Sequence, residues 1–161
     1  MGMEIYGKAP MSEEGREFPT GSHTWHGLAK YFCEVAPDIA CECKHWDTND
    51  GDGLDAAVCA ALADRLQAEI DTGGTLLYLE RHMARIDAMS TVPCKVCAGA
   101  GALRRLPGCG ADGEIIACKD CFGDGYVRRY VRPFETDYPF DLDQIQRFVK
   151  FLRCSGGFEI L

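Results

Sequence analysis

No apolar run in this 161-residue chain approaches the roughly 18 residues that a membrane helix needs, and its first residues show no basic stretch leading into an apolar one. Those two absences predict a cytoplasmic protein without a membrane partner. Basic residues are also in the minority, 17 Lys and Arg against 25 Asp and Glu, so the formal net charge is −8 and the sequence pI is near 4.9. A wholly acidic balance disfavours general capture of nucleic acid, although it does not exclude a local patch. Missing too are a glycine loop that would cradle phosphate, a nucleophile with a neighbouring base, and a metal-ligand set with an open position. Cys59, His82 and Cys154 fall in helical segments, and Cys109 lies in a Pro107-Gly108-Cys109-Gly110 turn without an evident partner. The expectation is therefore a protein that is not an enzyme.

Cysteine is what the chain has in excess. Its ten cysteines are Cys33, Cys41, Cys43, Cys59, Cys94, Cys97, Cys109, Cys118, Cys121 and Cys154. In a reducing compartment, clustered pairs point to metal more often than to disulfides. Charge is uneven in a way that follows the pairs. Residues 1–93 hold 7 basic and 16 acidic side chains, a net of −9, and residues 133–161 hold 3 and 5, a net of −2. Residues 94–132 hold 7 basic and 4 acidic side chains, a net of +3, so the cysteine-pair segment is a separate compositional island.

Hydrophobic periodicity predicts an α+β domain in which helices dominate. Residues 1–22, rich in Gly and Pro, read as an extended lead-in. A short helix follows, capped by Thr24, with Trp25, Leu28, Ala29, Phe32 and Val35 inward and Pro37 at its end. A polar loop from Trp46 to Gly53 opens the longest helix, through Asp52 as cap, with Leu54, Ala57, Val58, Ala61, Leu62, Leu66 and Ile70 as its apolar stripe. After Gly73-Gly74, Thr75 caps a further helix with Leu76, Leu79, Met83, Ile86 and Met89 inward, forming an antiparallel hairpin with the previous one. Asp141 caps a last helix carrying Leu142, Ile145, Phe148, Val149 and Leu152, Gly156-Gly157 ends it, and Phe158 to Leu161 suit a short edge strand. The expected organisation is a helical core of residues 23–93 plus 133–161, with a zinc-binding ribbon of residues 94–132 inserted into it.

Within that insert, Cys94-Lys95-Val96-Cys97-Ala98-Gly99-Ala100-Gly101 matches Cys118-Lys119-Asp120-Cys121-Phe122-Gly123-Asp124-Gly125 at every Cys and Gly. Both read Cys-x-x-Cys-x-Gly-x-Gly. Two residues between cysteines let both sulfurs reach one ion, and the glycines permit positive φ and close approach of N–H groups to thiolates. Two such knuckles make a closed four-cysteine site for one structural Zn²⁺, ligated by Cys94, Cys97, Cys118 and Cys121. Leu103 to Leu106, Glu114 to Ala117 and Tyr126 to Val131 are the candidate ribbon strands. The paired motif resembles the cysteine-rich zinc domain of the DnaJ-type co-chaperones, over about a quarter of the chain. That family carries four such repeats and two zinc ions where this chain has two repeats, and the chain has no His-Pro-Asp tripeptide to recruit a partner ATPase. Trp25 to Leu28, Asn49 to Ala56 and Phe148 to Phe158 are similar to segments of small bacterial and phage open reading frames.

Two weaker sets remain. Cys33, Cys41, Cys43 and His45 form a candidate second metal set, since Cys-x-Cys-x-His in a strand would put three ligands on one face. Calcium in the loop from Asp47 to Asp55 fails on register: with Gly53 at the sixth position of the binding loop, Thr48 and Cys59 stand where carboxylates belong. Arg104, Arg105, Arg128, Arg129 and Arg132, interleaved with Tyr126 and Tyr130, are candidate contacts on the ribbon. Asp47, Asp50 and Asp52 are candidates on an acidic docking surface. Three functional classes follow. The first is a non-catalytic zinc-binding protein-interaction module with a protein partner. The second is a phage or mobile-element inhibitor of a host nucleic-acid machine, of the anti-CRISPR kind. The third is thiol redox or chaperone-like activity.

Overall fold

A computed structural model of the chain describes residues 3–89, 91–104, 114–128 and 138–161. The fold is α+β, and it divides into two compact units, Met1–Ala84 with Asp137–Leu161, and Arg85–Thr136. Among the described residues no helix is long and apolar enough to cross a membrane.

The first unit is built on a three-stranded antiparallel sheet and the helices packed on it. The strands are β1 (Ile5–Gly7), β2 (Asp52–Asp55) and β7 (Gly157–Ile160), in the order β1-β7-β2. Ile5 lies opposite Ile160, and Leu54 opposite Phe158. The terminal strand, expected at an edge, is thus the central one. Its partners come from two segments that read as irregular, because three- and four-residue strands leave almost no period-2 signal. The lead-in is likewise ordered: after β1 come a 3-10 turn (Glu13–Gly15) and the buried side chain of Phe18.

The helices are α1 (Ser22–Val35), α2 (Pro37–Ala40), α3 (Ala56–Asp71), α4 (Gly74–Asp87) and α5 (Leu142–Ser155). In α1 the expected face is buried, Trp25, Leu28, Ala29 and Phe32, but the cap is Gly21, with Thr24 inside the helix. For α5 both ends follow the sequence. Asp141 accepts from the Asp143 N–H at its start, and Gly156 adopts left-handed φ of 63° at its end.

Elsewhere the faces are turned in part: Leu62 and Leu66 on α3 and Ile86 on α4 are buried as expected, and other positions are not. On α3 the buried residues are Cys59, Leu62, Ala63 and Leu66, its cap is Asp55, which accepts from the Val58 N–H at 2.9 Å, and it packs chiefly against α5. On α4 the buried side chains are Thr75, Tyr78, His82 and, as expected, Ile86, while Leu76 and Met83 face solvent. The rotation has a physical cause. The Tyr31 and Thr75 hydroxyls bond to each other at 2.7 Å, His82 Nε2 lies 3.0 Å from the Tyr138 carbonyl oxygen, and Tyr78 packs edge-on against Tyr31. Aromatic area with a satisfied polar tip can therefore be buried in preference to the more apolar stripe.

The core of this unit is aromatic. Trp25 contacts Phe18, Phe32, Trp46, Phe148 and Phe158, and its indole N–H donates to the Trp46 carbonyl at 2.6 Å.

Among its described residues the second unit contains two ribbons. β3 (Thr91–Pro93) pairs antiparallel with β6 (Tyr126–Arg128), and β4 (Ala102–Arg104) with β5 (Ile115–Ala117). The first knuckle joins β3 to β4 and the second joins β5 to β6, so strand, knuckle and strand repeat. β3 takes the place of the helix end expected before Pro93, since α4 stops at Asp87.

Candidate metal centre

Each knuckle is held by the same local bonds. The Gly99 N–H donates to the Cys94 carbonyl (3.2 Å) and the Ala100 N–H to that of Cys97 (3.0 Å). In the second knuckle, the Gly123 N–H donates to Cys118 (3.1 Å) and the Asp124 N–H to Cys121 (2.9 Å). Left-handed φ angles recur in register: 52° at Ala98 and 53° at Phe122, 86° and 94° at Gly99 and Gly123, 72° and 80° at Gly101 and Gly125. The knuckles also clasp one another, the Cys94 N–H donating to the Gly125 carbonyl (2.8 Å) and the Cys118 N–H to that of Gly101 (2.9 Å). A Cβ on Gly101 would overlap the Gly123 carbonyl oxygen, and one on Gly125 that of Gly99. The last glycine of each motif therefore serves two needs at once, a positive φ and a backbone crossing with no room for a side chain.

That clasp brings the four sulfurs together. Cys94 Sγ is 3.9 Å from Cys118 Sγ, and Cys97 Sγ is 3.7 Å from Cys121 Sγ. All four ligand atoms lie within 4.8 Å of one another, on buried residues. A tetrahedral ion with metal–sulfur bonds near 2.3 Å requires sulfur–sulfur edges of about 3.8 Å. The two distances lie on either side of that value, so the donor set is compatible with a tetrahedral metal ion. Backbone donors already face two of the sulfurs, the Gly101 N–H on Cys97 Sγ at 3.3 Å and the Gly125 N–H on Cys121 Sγ at 3.2 Å. Burial pushes the Cys97 thiol up, but the Gly101 N–H and the neighbouring sulfurs outweigh it and bring it down to about 7. Burial drives the Cys118 thiol the other way, to about 11. Charging all four sulfurs needs a cation among them, so metal binding and proton release are linked. Among the described residues, Leu103 and Val127 are half-buried against the sulfurs.

Among the described residues no other group of three or more His, Cys, Asp or Glu ligand atoms converges in this way. Cys33, Cys41, Cys43 and His45 are not assembled. The chain after α2 turns where a strand would have aligned them, leaving Cys41 exposed with its Sγ 3.4 Å from the Asp38 carbonyl oxygen and Cys43 buried. Burial and the nearby Asp52 charge push the Cys43 thiol up to about 12.

Asp52 is a turn-holding residue. Its carboxylate accepts from the N–H groups of Lys44 (2.7 Å), His45 (2.8 Å) and Gly53 (2.8 Å). Partial burial pushes that carboxyl up, and the three N–H donors outweigh it, so its pKa lies below the ordinary value. Asp47 lies 3.9 Å from His26 Nδ1, and Asp50 is exposed. Arg104 is exposed at the end of β4, and Arg128 lies on β6 opposite Thr91. Arg105, Cys109, Arg129, Tyr130 and Arg132 lie outside the described residues.

One residue escaped the sequence reading. Phe122, at the turn of the second knuckle, is 89% exposed. The signal was an aromatic standing where the matching motif has Ala98. Comparison with protein families, curated proteins and solved structures finds no match to this chain.

Proposed function

We propose that the chain is a non-catalytic interaction module whose second unit is held by one structural Zn²⁺. The carrying observation is the closed set of four buried sulfurs at tetrahedral spacing. Thiolate softness and tetrahedral geometry favour zinc among common cellular ions. Four protein ligands leave no position for water or substrate, so the ion supplies shape in place of chemistry. What it shapes is a small two-ribbon surface whose side chains are available for contact. The DnaJ-type resemblance supports the zinc assignment through the paired motif, and carries no activity beyond it.

Elemental analysis of purified protein tests this reading. One zinc per chain is expected, lost in the double variant Cys94→Ser with Cys121→Ser. A chain that contains no metal and has four titratable thiols in this segment would overturn it.

A further inference from the structure

We propose that the metal-held unit binds single-stranded nucleic acid, stacking a base on Phe122 and placing phosphates against Lys95, Lys119 and Arg104. This rests on the reading of the chain as a zinc-held interaction module, and replaces the protein partner expected from sequence with a chemically defined one.

The first observation is a ring with no structural use. Phe122 adopts φ of 53°, a left-handed conformation that is strained for a bulky side chain, and Ala98 takes φ of 52° at the matching place. The turn therefore needs no ring. At 89% exposure the Phe122 side chain also adds nothing to the sulfur cluster. Strain kept at an exposed residue, on a loop held by Cys121 before it and by the Gly125 crossing after it, is the arrangement expected of a preorganised contact.

The second observation is where exposed aromatics coincide with charge. Among the described residues Phe122 and Tyr126, the latter 53% exposed, are the exposed aromatic side chains, and both belong to this unit. The same stretch, 94–132, is the one with a cationic excess, +3 against −11 for the rest of the chain. Four thiolates on one Zn²⁺ subtract two charges and leave about +1 for this stretch. Lys95 and Lys119 occupy matching positions, each directly after the first cysteine of its knuckle, and both are exposed, as is Arg104.

Exposed rings interleaved with cations are the components of a single-strand platform, because every base has a stackable face and every linkage a phosphate. Asp120 and Asp124 flank Phe122 in sequence and repel phosphate, so the phosphate contacts fall to Lys95, Lys119 and Arg104. A duplex buries its base faces and so offers none to Phe122. A protein pocket would also accept Phe122, but it would not account for cations concentrated in one stretch of an acidic chain.

Fluorescence anisotropy of labelled oligo-dT and oligo-U of about 16 nucleotides, with the full zinc-loaded chain, tests the proposal. Binding is expected to weaken steeply between about 50 and about 200 mM salt. Phe122→Ala should weaken it about tenfold, the effect of removing one stacking ring, with zinc content unchanged, while Phe122→Trp retains it. Ala98 shows that alanine is tolerated in this conformation. Arg104→Glu with Lys119→Glu should abolish binding. A zinc-loaded chain that leaves the anisotropy unchanged, or Phe122→Ala binding as tightly as wild type, would overturn the proposal and turn the surface back to a protein partner. A chain without zinc would remove the interaction-module reading as well.

Discussion

The two units of this chain are stabilised by different physics. In the first, Trp25, Phe32, Phe148, Phe151 and Phe158 are almost wholly buried, so apolar area removed from water supplies the driving force. In the second, the buried cluster among the described residues is four cysteines with Leu103 and Val127 partly buried beside them. Strands of three residues and a core of that size do not offset the entropy of ordering the chain. On the proposed reading a metal ion on the four sulfurs supplies the difference. On that reading the described part of the insert is held by its ligands, and the glycine crossings are as necessary to it as those ligands.

The largest expected effect breaks the comparison from the metal side. Replacing Cys118 by Ser removes a ligand from a site that contributes on the order of 10 kcal/mol of coupled binding and folding. Calorimetry should show the second unit unfolded at all temperatures and the transition of the first unit retained. From the other side, Phe148→Ala should cost the first unit about 3–5 kcal/mol, since that ring contacts Phe18, Trp25, Phe32, Phe151 and Phe158. Chemical denaturation followed by Trp fluorescence would read that loss, and zinc bound per chain should not change.

A smaller change sharpens the role of the backbone crossing. Gly125→Ala places a methyl group against the Gly99 carbonyl at φ of 80°, and should weaken metal retention by about 1–3 kcal/mol. Competition with a zinc chelator measures it, with Gly21→Ala, which meets nothing within 4 Å, as the neutral control.

The smallest effect concerns pH. The Asp52 carboxyl is held below its ordinary value of 3.8, so its contribution to the first unit is fully present above that value and is lost as pH falls through the lowered one. Acid unfolding of Asp52→Asn should accordingly show less loss of stability below about pH 4 than wild type does. Equal acid sensitivity in the two proteins would contradict that assignment.

How far the sequence could be read follows the same division. The metal set was legible because ligand spacing is a local property: Cys94, Cys97, Cys118 and Cys121 stand together as the motif implies. The α1 face and both ends of α5 were legible for a related reason, since helical period and caps lie within one segment. What was lost depends on partners distant in sequence. Nothing near Phe158 announces that β7 has a neighbour on each side, from Ile5 and from Leu54. On α4, hydropathy favours Leu76 and Met83, but Thr75 and Tyr78 are drawn inward by Tyr31, 44 and 47 residues away. Cys41, Cys43 and His45 were aligned on the assumption of a strand, and the chain turns there. Phe122 was visible as a difference between two motifs, yet its exposure is known only once the knuckle is folded.

Hydrogen–deuterium exchange of the purified chain, with and without a strong zinc chelator, tests the central claim most directly. The account predicts that amides of residues 91–104 and 114–128, such as those of Gly101 and Gly125, lose protection on chelation while those of α1 and α5 keep theirs. Protection unchanged in both units, or lost equally in both, would contradict it.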